Sequence, residues 1–177
     1  MKAQALFLLL CVFSSPSSKG APTDKGKQIQ ALLIHEAACS NEQAYAYFID
    51  FEKFGKLHPV IKETKNIVPP SGNSMGIFSV KEFIFLFGFI PMHPKYNAEV
   101  IEVEKGVKIK YLSQVKKNVH LEILFSFSEN EQHSTVIHEE ITISGNHMIC
   151  SMLLREMKKK HLLLIENLKK EVQKKAN

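Results

Sequence analysis

Residues 41–63, NEQAYAYFIDFEKFGKLHPVIKE, contain the pattern that decides the fold of this chain. Ser40 is followed three residues later by Gln43, a capping-box spacing that predicts the start of a helix. An acidic turn ends this helix, and a second short helix follows. Gly55 and Pro59 bracket the end of the second helix, since a proline biases the residue before it away from helical angles. The segment therefore predicts two short helices that lead into a strand.

Alternating apolar and polar side chains predict one strand before this helix pair and six strands after it. The predicted strands cover 28–37, 60–68, 75–90, 95–104, 107–115, 119–128 and 134–144. The connections between the later strands are hairpins, too short for the crossovers that parallel strands need. This order favours one antiparallel sheet.

The last part of the chain, 147–175, carries a continuous apolar stripe at helical spacing. At 1.5 Å per residue this helix is on the order of 40 Å long, so it is the only element that can cover the sheet. The expected fold class is α+β: a curved seven-stranded antiparallel sheet wrapped around a long C-terminal helix, with two short helices between strands 1 and 2. A bent sheet around one helix is expected to enclose a cavity.

The order of elements, together with the segment 45–59, resembles the START-like superfamily, also called SRPBCC or helix-grip. This superfamily includes polyketide cyclase-type and lipid-transport proteins, and the resemblance covers roughly 27–174. Many members carry a tryptophan near Phe54 or Leu57, whereas this chain has none. The resemblance implies the fold. It implies no particular reaction, because the superfamily has no shared catalytic motif: members bind lipids, sterols or polyketides, catalyse cyclisation or related reactions, or act on protein partners.

The N-terminal residues 1–20 have the pattern of a signal peptide: Lys2, an apolar stretch, and then small residues where a peptidase could cut. We therefore predict export, periplasmic or secreted, with a single START-like domain over 27–175. If the segment is not a signal, the protein is expected in the cytoplasm. Without it two cysteines remain, Cys39 and Cys150, which we predict to be buried thiols too far apart for a disulfide.

The net charge of +5 comes from lysines spread along the chain, and Arg155 is the only arginine. This pattern is typical of a solvated surface and argues against a nucleic-acid partner. The eight histidines form no HxxxH or HExxH pattern, and no phosphate loop, dinucleotide fingerprint or G-x-S-x-G elbow is present. We predict no cofactor and no metal. The oligomeric state stays open.

Two polar residues lie on apolar faces. Glu139 shares its strand face with Ile137, Ile141 and Ile143. Burial would therefore raise its pKa and make it a proton donor or a ligand anchor. The alternatives are that Glu139 lies near the strand edge, or that a one-residue slip turns His138 and Glu140 inward. His161 lies on the stripe of the last helix, where it is either a hydrogen-bonded core residue or a cavity residue.

The run 83–91 is apolar on both faces of its predicted strand. One interpretation is that one face lines the core and the other packs against a neighbouring loop or another subunit. The other is a ligand portal or a tip that touches membrane transiently, which burial of Phe85, Phe87 and Phe89 would exclude.

Our leading hypothesis is binding or transport of a hydrophobic small molecule (a lipid, sterol or polyketide-like compound) between the sheet and the last helix. Alternatives are a cyclase- or hydratase-type enzyme that uses Glu139 and His161 as acid and base, and a chaperone-activator-like interaction module. The candidate cavity residues are Phe48, Phe51, Phe54, Leu57, Phe85, Tyr111, Ile123, Phe125, Glu139, Leu153, Met157 and His161.

Overall fold

The computed structural model describes residues 27–86 and 89–176. The predicted signal peptide lies outside the described residues and stays a prediction. The first elements are β1 (Lys27–Ala37), α1 (Asn41–Ile49), α2 (Phe51–Leu57), β2 (Ile61–Val68), β3 (Ser74–Glu82), β4 (Ile84–Leu86) and β5 (Ile90–Met92). They are followed by β6 (Lys95–Glu104), β7 (Lys108–Lys116), β8 (Val119–Glu129), β9 (Thr135–Gly145) and α3 (His147–Ala176).

Seven strands form one antiparallel sheet in the order β1-β9-β8-β7-β6-β3-β2. The first strand pairs along its whole length with the last strand, from Lys27 opposite Gly145 to Ala37 opposite Thr135. With two short helices after β1 and a long C-terminal helix, this is the predicted α+β helix-grip architecture. The fold prediction is confirmed.

The prediction of one long strand over 75–90 was wrong. The chain leaves the main sheet after Glu82, whose backbone N–H donates to the Pro94 carbonyl at 3.0 Å. The next residues form a separate two-stranded sheet in which β4 pairs with β5. The apolar run continues across this break, so hydrophobic pattern alone does not reveal where the strand changes its pairing partner.

The helices begin where the sequence predicted them to begin. Ser40 and Gln43 form a complete capping box at the start of α1. The Asp50 side chain accepts from the Lys53 N–H at 3.1 Å and caps α2. The Asn146 side chain accepts from the Met148 N–H at 3.1 Å and caps α3. These caps fix where the chain turns from sheet to helix.

Helix α3 makes its broadest contacts with β1 and β9, and it also meets α1 and α2, the latter through Asn167 in its C-terminal half. Around α1 and α2 the interior is filled by aromatic rings. Phe48 meets Phe54, Phe125 and Phe127 edge-on, with ring centroids 5.4, 4.8 and 5.3 Å apart. We call this region the packed end of the domain.

The described residues include two cysteines. Cys39 and Cys150 are both buried and free, as predicted. Among the described helices, none has the length and apolar character needed to cross a bilayer.

The packed end predicts a large stability cost for losing Phe48, which has no solvent exposure. We expect Phe48→Ala to lower the free energy of unfolding by about 3–5 kcal/mol, because transfer and cavity terms add. The matched control is Phe89→Ala, which removes a ring that is 72% exposed. It is expected to change stability by no more than about 0.5 kcal/mol. Urea unfolding measures both, and equal losses would contradict the assignment of the packed end.

Candidate functional site

A buried carboxylate joins the sheet to the long helix. Glu139 lies on the inner face of β9 with Ile137 and Ile141, and only 1% of its surface is exposed. The ring of His35 on β1 donates through Nε2 to Oε2 of Glu139 at 3.0 Å. The ring of His161 on α3 donates through Nδ1 to Oε1. We call these three residues the buried cluster.

The electrostatics of the buried cluster differ from the sequence-based expectation. Burial alone raises the pKa of Glu139, but the charge of His161 and the hydrogen bonds from His161 and His35 outweigh it and lower the pKa to about 2. Glu139 is therefore ionised at neutral pH and accepts hydrogen bonds on both oxygens. The expectation of a raised pKa, and with it a proton donor, was wrong because the two donors were not visible in the sequence.

A third histidine lies against the buried cluster. His58, the residue that ends α2, meets the ring of His161 nearly at right angles, with centroids 5.3 Å apart. Its Nδ1 atom is buried without a hydrogen-bond partner among the described residues. Burial and the charge of His161 lower the pKa of His58 to about 3, so its ring is neutral. Beside it, Asn167 of α3 donates to the Leu57 carbonyl at 2.8 Å.

The structure brings most of the candidate cavity residues together as packed core. Nine of them are buried: Phe48, Phe51, Phe54, Leu57, Tyr111, Ile123, Phe125, Glu139 and His161. Their polar groups are already used within the protein, since the Tyr111 hydroxyl donates to the Phe48 carbonyl. Leu153 and Met157 are partly buried on α3.

Phe85 requires a correction. It lies in β4, outside the sheet–helix interior, and is 48% exposed. The chain leaves the main sheet before it, so it does not line the interior. Phe89 is also exposed, and Phe87 lies outside the described residues. The burial that would have excluded a portal or membrane tip is thus not found for Phe85 and Phe89, and that interpretation stays a prediction.

The opposite end of the interior is only partly closed. Inward-facing apolar side chains of β7, β8 and the first half of α3 are partly buried: Val115, Leu121, Ile149, Leu153 and Met157. Helix α3 packs most broadly on β1 and β9, and these side chains keep part of their surface in contact with solvent. We call this region the open end.

Sequence reasoning missed an acid at the open end. Glu82 follows Phe78 and Val80 at two-residue spacing on the inner face of β3. The hydroxyl of Tyr96, inward-facing on β6, donates to Oε1 of Glu82. The alternation was visible in the sequence, but a strand extended to residue 90 hid it within an apolar run.

Glu82 differs electrostatically from Glu139. Burial raises the pKa of Glu82, and the opposing effects of the Tyr96 hydroxyl and the His161 charge do not cancel it. Within the described part of the chain, Glu82 has no ion-pair partner, and Tyr96 is its only side-chain hydrogen-bond donor. Glu82 is therefore a half-buried carboxyl group without a cation.

Two depressions of the described surface lie elsewhere. One, of about 530 Å³, is on the outer face of the sheet, beside Asn97, Gln114 and His120. The other, of about 350 Å³, lies between Asp50, Asn66 and Met75. Neither is lined by Glu139 or Glu82. The described residues also contain no group of side chains arranged to hold a metal ion.

Solved structures similar to this chain have the same fold. The di-domain ARO/CYC StfQ from the steffimycin biosynthetic pathway superposes with a TM-score of 0.66 at 14% identity, over 84% of this chain and 52% of that one. A START superfamily protein from Mycobacterium smegmatis gives 0.62 at 15% identity, over 82% and 97%. The Zhui aromatase/cyclase from Streptomyces sp. R1128 gives 0.67 at 9% identity, over 85% and 97%.

These similarities establish the fold class. No family model and no curated protein matches the sequence. The chain has the START-like, helix-grip fold that the sequence pattern predicted. It spans about half the length of StfQ, a protein with two domains.

The buried cluster predicts an acid-sensitive contribution to stability. The folded-state pKa of Glu139 lies below its ordinary value of 4.5, so its contribution is full above pH 4.5 and is lost as the pH falls towards 2. Glu139→Gln should lower the free energy of unfolding by about 3 kcal/mol at pH 7, because the two histidines lose their charged acceptor. The variant should also show a shallower loss of stability below pH 4.5.

The matched control for this measurement is Glu140→Gln, which changes the same side chain at the neighbouring, exposed position of β9. It should leave both the stability and its pH dependence unchanged. Denaturant unfolding across pH measures the pair. A Glu139→Gln variant as stable as the Glu140→Gln variant would contradict the role of the buried cluster.

His58 contributes to the pH dependence of stability in a different pH range. Its folded-state pKa of about 3 lies below the ordinary 6.5, so stability is lost as the pH falls from 6.5 towards 3 and the buried ring must take up a proton. His58→Phe should remove this part of the acid sensitivity, since phenylalanine does not titrate. His120→Phe, at an exposed position of β8, is the control and should leave the pH profile unaltered. Parallel profiles for wild type and His58→Phe would contradict burial of a neutral histidine.

Proposed function

We propose that this protein binds an apolar small molecule at the open end, between the first half of α3 and the inner face of β6–β8. One observation carries the proposal: apolar side chains that face inward there are only partly buried, whereas the same sheet face is sealed at the packed end. Inward-facing apolar surface that stays in contact with water favours a ligand that covers it. Each Å² removed from water would contribute about 25 cal/mol.

The fold adds general support. Two of the similar solved structures are named as aromatase/cyclases and one as a START superfamily protein. Their low identity to this chain means that the shared feature is the arrangement of sheet and helix. Pockets between a sheet and a helix that covers it are lined mostly by apolar residues with a few polar groups. The open end has that composition, with Glu82 and Tyr96 as its polar groups.

The geometry favours binding over catalysis by Glu139 and His161. A general acid or base must come within hydrogen-bond reach of the group on which it acts. Both residues are almost fully buried, and they are hydrogen-bonded to each other. A reaction through this pair would require the buried cluster to open. We therefore propose that the buried cluster is structural and that the open end is the binding site.

The proposal is tested by filling the open end. Leu153→Trp places a large ring on the partly buried face of α3. We expect it to weaken binding of the neutral fluorescent probe N-phenyl-1-naphthylamine by about tenfold, which corresponds to 1.4 kcal/mol. Fluorescence titration measures the dissociation constant.

The matched control is Leu163→Trp on the same helix, where the leucine is exposed on the outer side. It should bind the probe as the wild type does. Equal affinities for wild type and Leu153→Trp, or no binding of the probe by wild type, would overturn the proposal.

A further inference from the structure

Glu82 is an acid on the inner face of the sheet, and no cation of the described residues is paired with it. The two lysines nearest in sequence to the pair, Lys81 and Lys95, occupy positions of opposite parity on β3 and β6 and so lie on the outer face. Lys81 is already paired there with Glu63 at 2.6 Å. The charged group that acts on Glu82 from across the interior is His161, which is itself bound to Glu139. No lysine or arginine among the described residues pairs with Glu82.

We propose that the ligand of the open end is an apolar molecule that carries an amine, and that Glu82 and Tyr96 bind its ammonium group. This inference rests on the proposed function, because it names the class of molecule that the same site takes.

The hydrogen-bonding inventory favours an amine over other polar heads. An ionised carboxylate only accepts hydrogen bonds, and the Tyr96 hydroxyl already gives its one proton to Oε1 of Glu82. The groups that remain are the second carboxylate oxygen and the lone pairs of the Tyr96 oxygen, all of which are acceptors. An ammonium group supplies three donors, whereas a hydroxyl supplies one.

Charge leads to the same class of ligand. A cation beside Glu82 favours its ionised form and offsets the effect of burial on its pKa. A ligand with a carboxylate would place two like charges together in a partly desolvated site. The rest of the protein acts in the opposite direction, because a net charge of +5 attracts anions. A preference for amines would therefore arise from the groups at the site and not from the net charge of the protein.

The experiment compares three ligands with the same ten-carbon chain. Decylamine, decanol and decanoate are each used to displace N-phenyl-1-naphthylamine from the wild-type protein at neutral pH and below their critical micelle concentrations. We expect decylamine to bind tightest and decanoate weakest, with about tenfold between the amine and the alcohol because the amine makes charge-assisted hydrogen bonds. This comparison needs no variant. An alcohol or a carboxylate that binds as tightly as the amine overturns the inference.

The variant Glu82→Gln tests whether the preference for amines arises at Glu82. The glutamine keeps an oxygen that can accept from Tyr96, so the hydrogen bond within the protein is retained. Decylamine affinity should fall about tenfold, while decanol affinity should change less than about threefold. The control is Glu63→Gln, which removes a carboxylate of the same sheet edge that lies on the outer face. If both variants weaken decylamine equally, the effect is general electrostatics and the inference fails.

The outcomes separate this inference from the proposed function. If all three ligands bind with equal affinity and Leu153→Trp weakens each of them, the binding site stands and the amine specificity is wrong. If none displaces the probe, or the probe does not bind, the proposed function fails and the inference fails with it.

Discussion

Glu139 accepts hydrogen bonds from His35 on β1 and His161 on α3, and this contact fixes how the long helix lies on the sheet. Apolar contacts alone are not directional, so a 30-residue helix with a continuous stripe has several similar positions on an apolar face. A buried carboxylate with two specific donors is satisfied in only one of them. Burying the charge costs desolvation energy, which the hydrogen bonds and the attraction to His161 offset. The result is a single register for α3, with its second half against α1 and α2 and its first half over the open end.

This position of α3 also explains why the interior is filled at the packed end and only partly closed at the open end. Where α1 and α2 close the sheet, the aromatic rings pack against one another. The Tyr111 hydroxyl there is already hydrogen-bonded to the Phe48 carbonyl. In the first half of α3, Ile149, Leu153 and Met157 are only partly buried. The glycine of α2 contributes to the closure, since a Cβ atom on Gly55 would lie 2.8 Å from a methyl group of Thr64 on β2. The helix pair can lie this close to the sheet only because that side chain is absent.

The sequence predicted the elements that depend on local patterns. The capping box at Ser40, the cap at Asn146 and the seven strands of the main sheet follow from spacing that is visible over a few residues. The break after Glu82 was missed because pairing partners are a tertiary property. The inward position of Glu139 was visible from its isoleucine neighbours, but His35 lies 104 residues away. Its donors, and therefore the direction of its pKa shift, depend on how β1 pairs with β9.

Two acids that face the interior, Glu139 and Glu82, have pKa values shifted in opposite directions. Glu139 is the more deeply buried, yet its pKa is lowered, whereas burial raises that of the more accessible Glu82. Depth alone therefore does not set the direction of the pKa shift, because the donors around each carboxyl group act against burial. Glu139 accepts hydrogen bonds from two histidines, and Glu82 accepts one from a neutral hydroxyl. The protein supplies the donors of Glu139, whereas Glu82, which has no ion-pair partner among the described residues, keeps one oxygen without a side-chain donor.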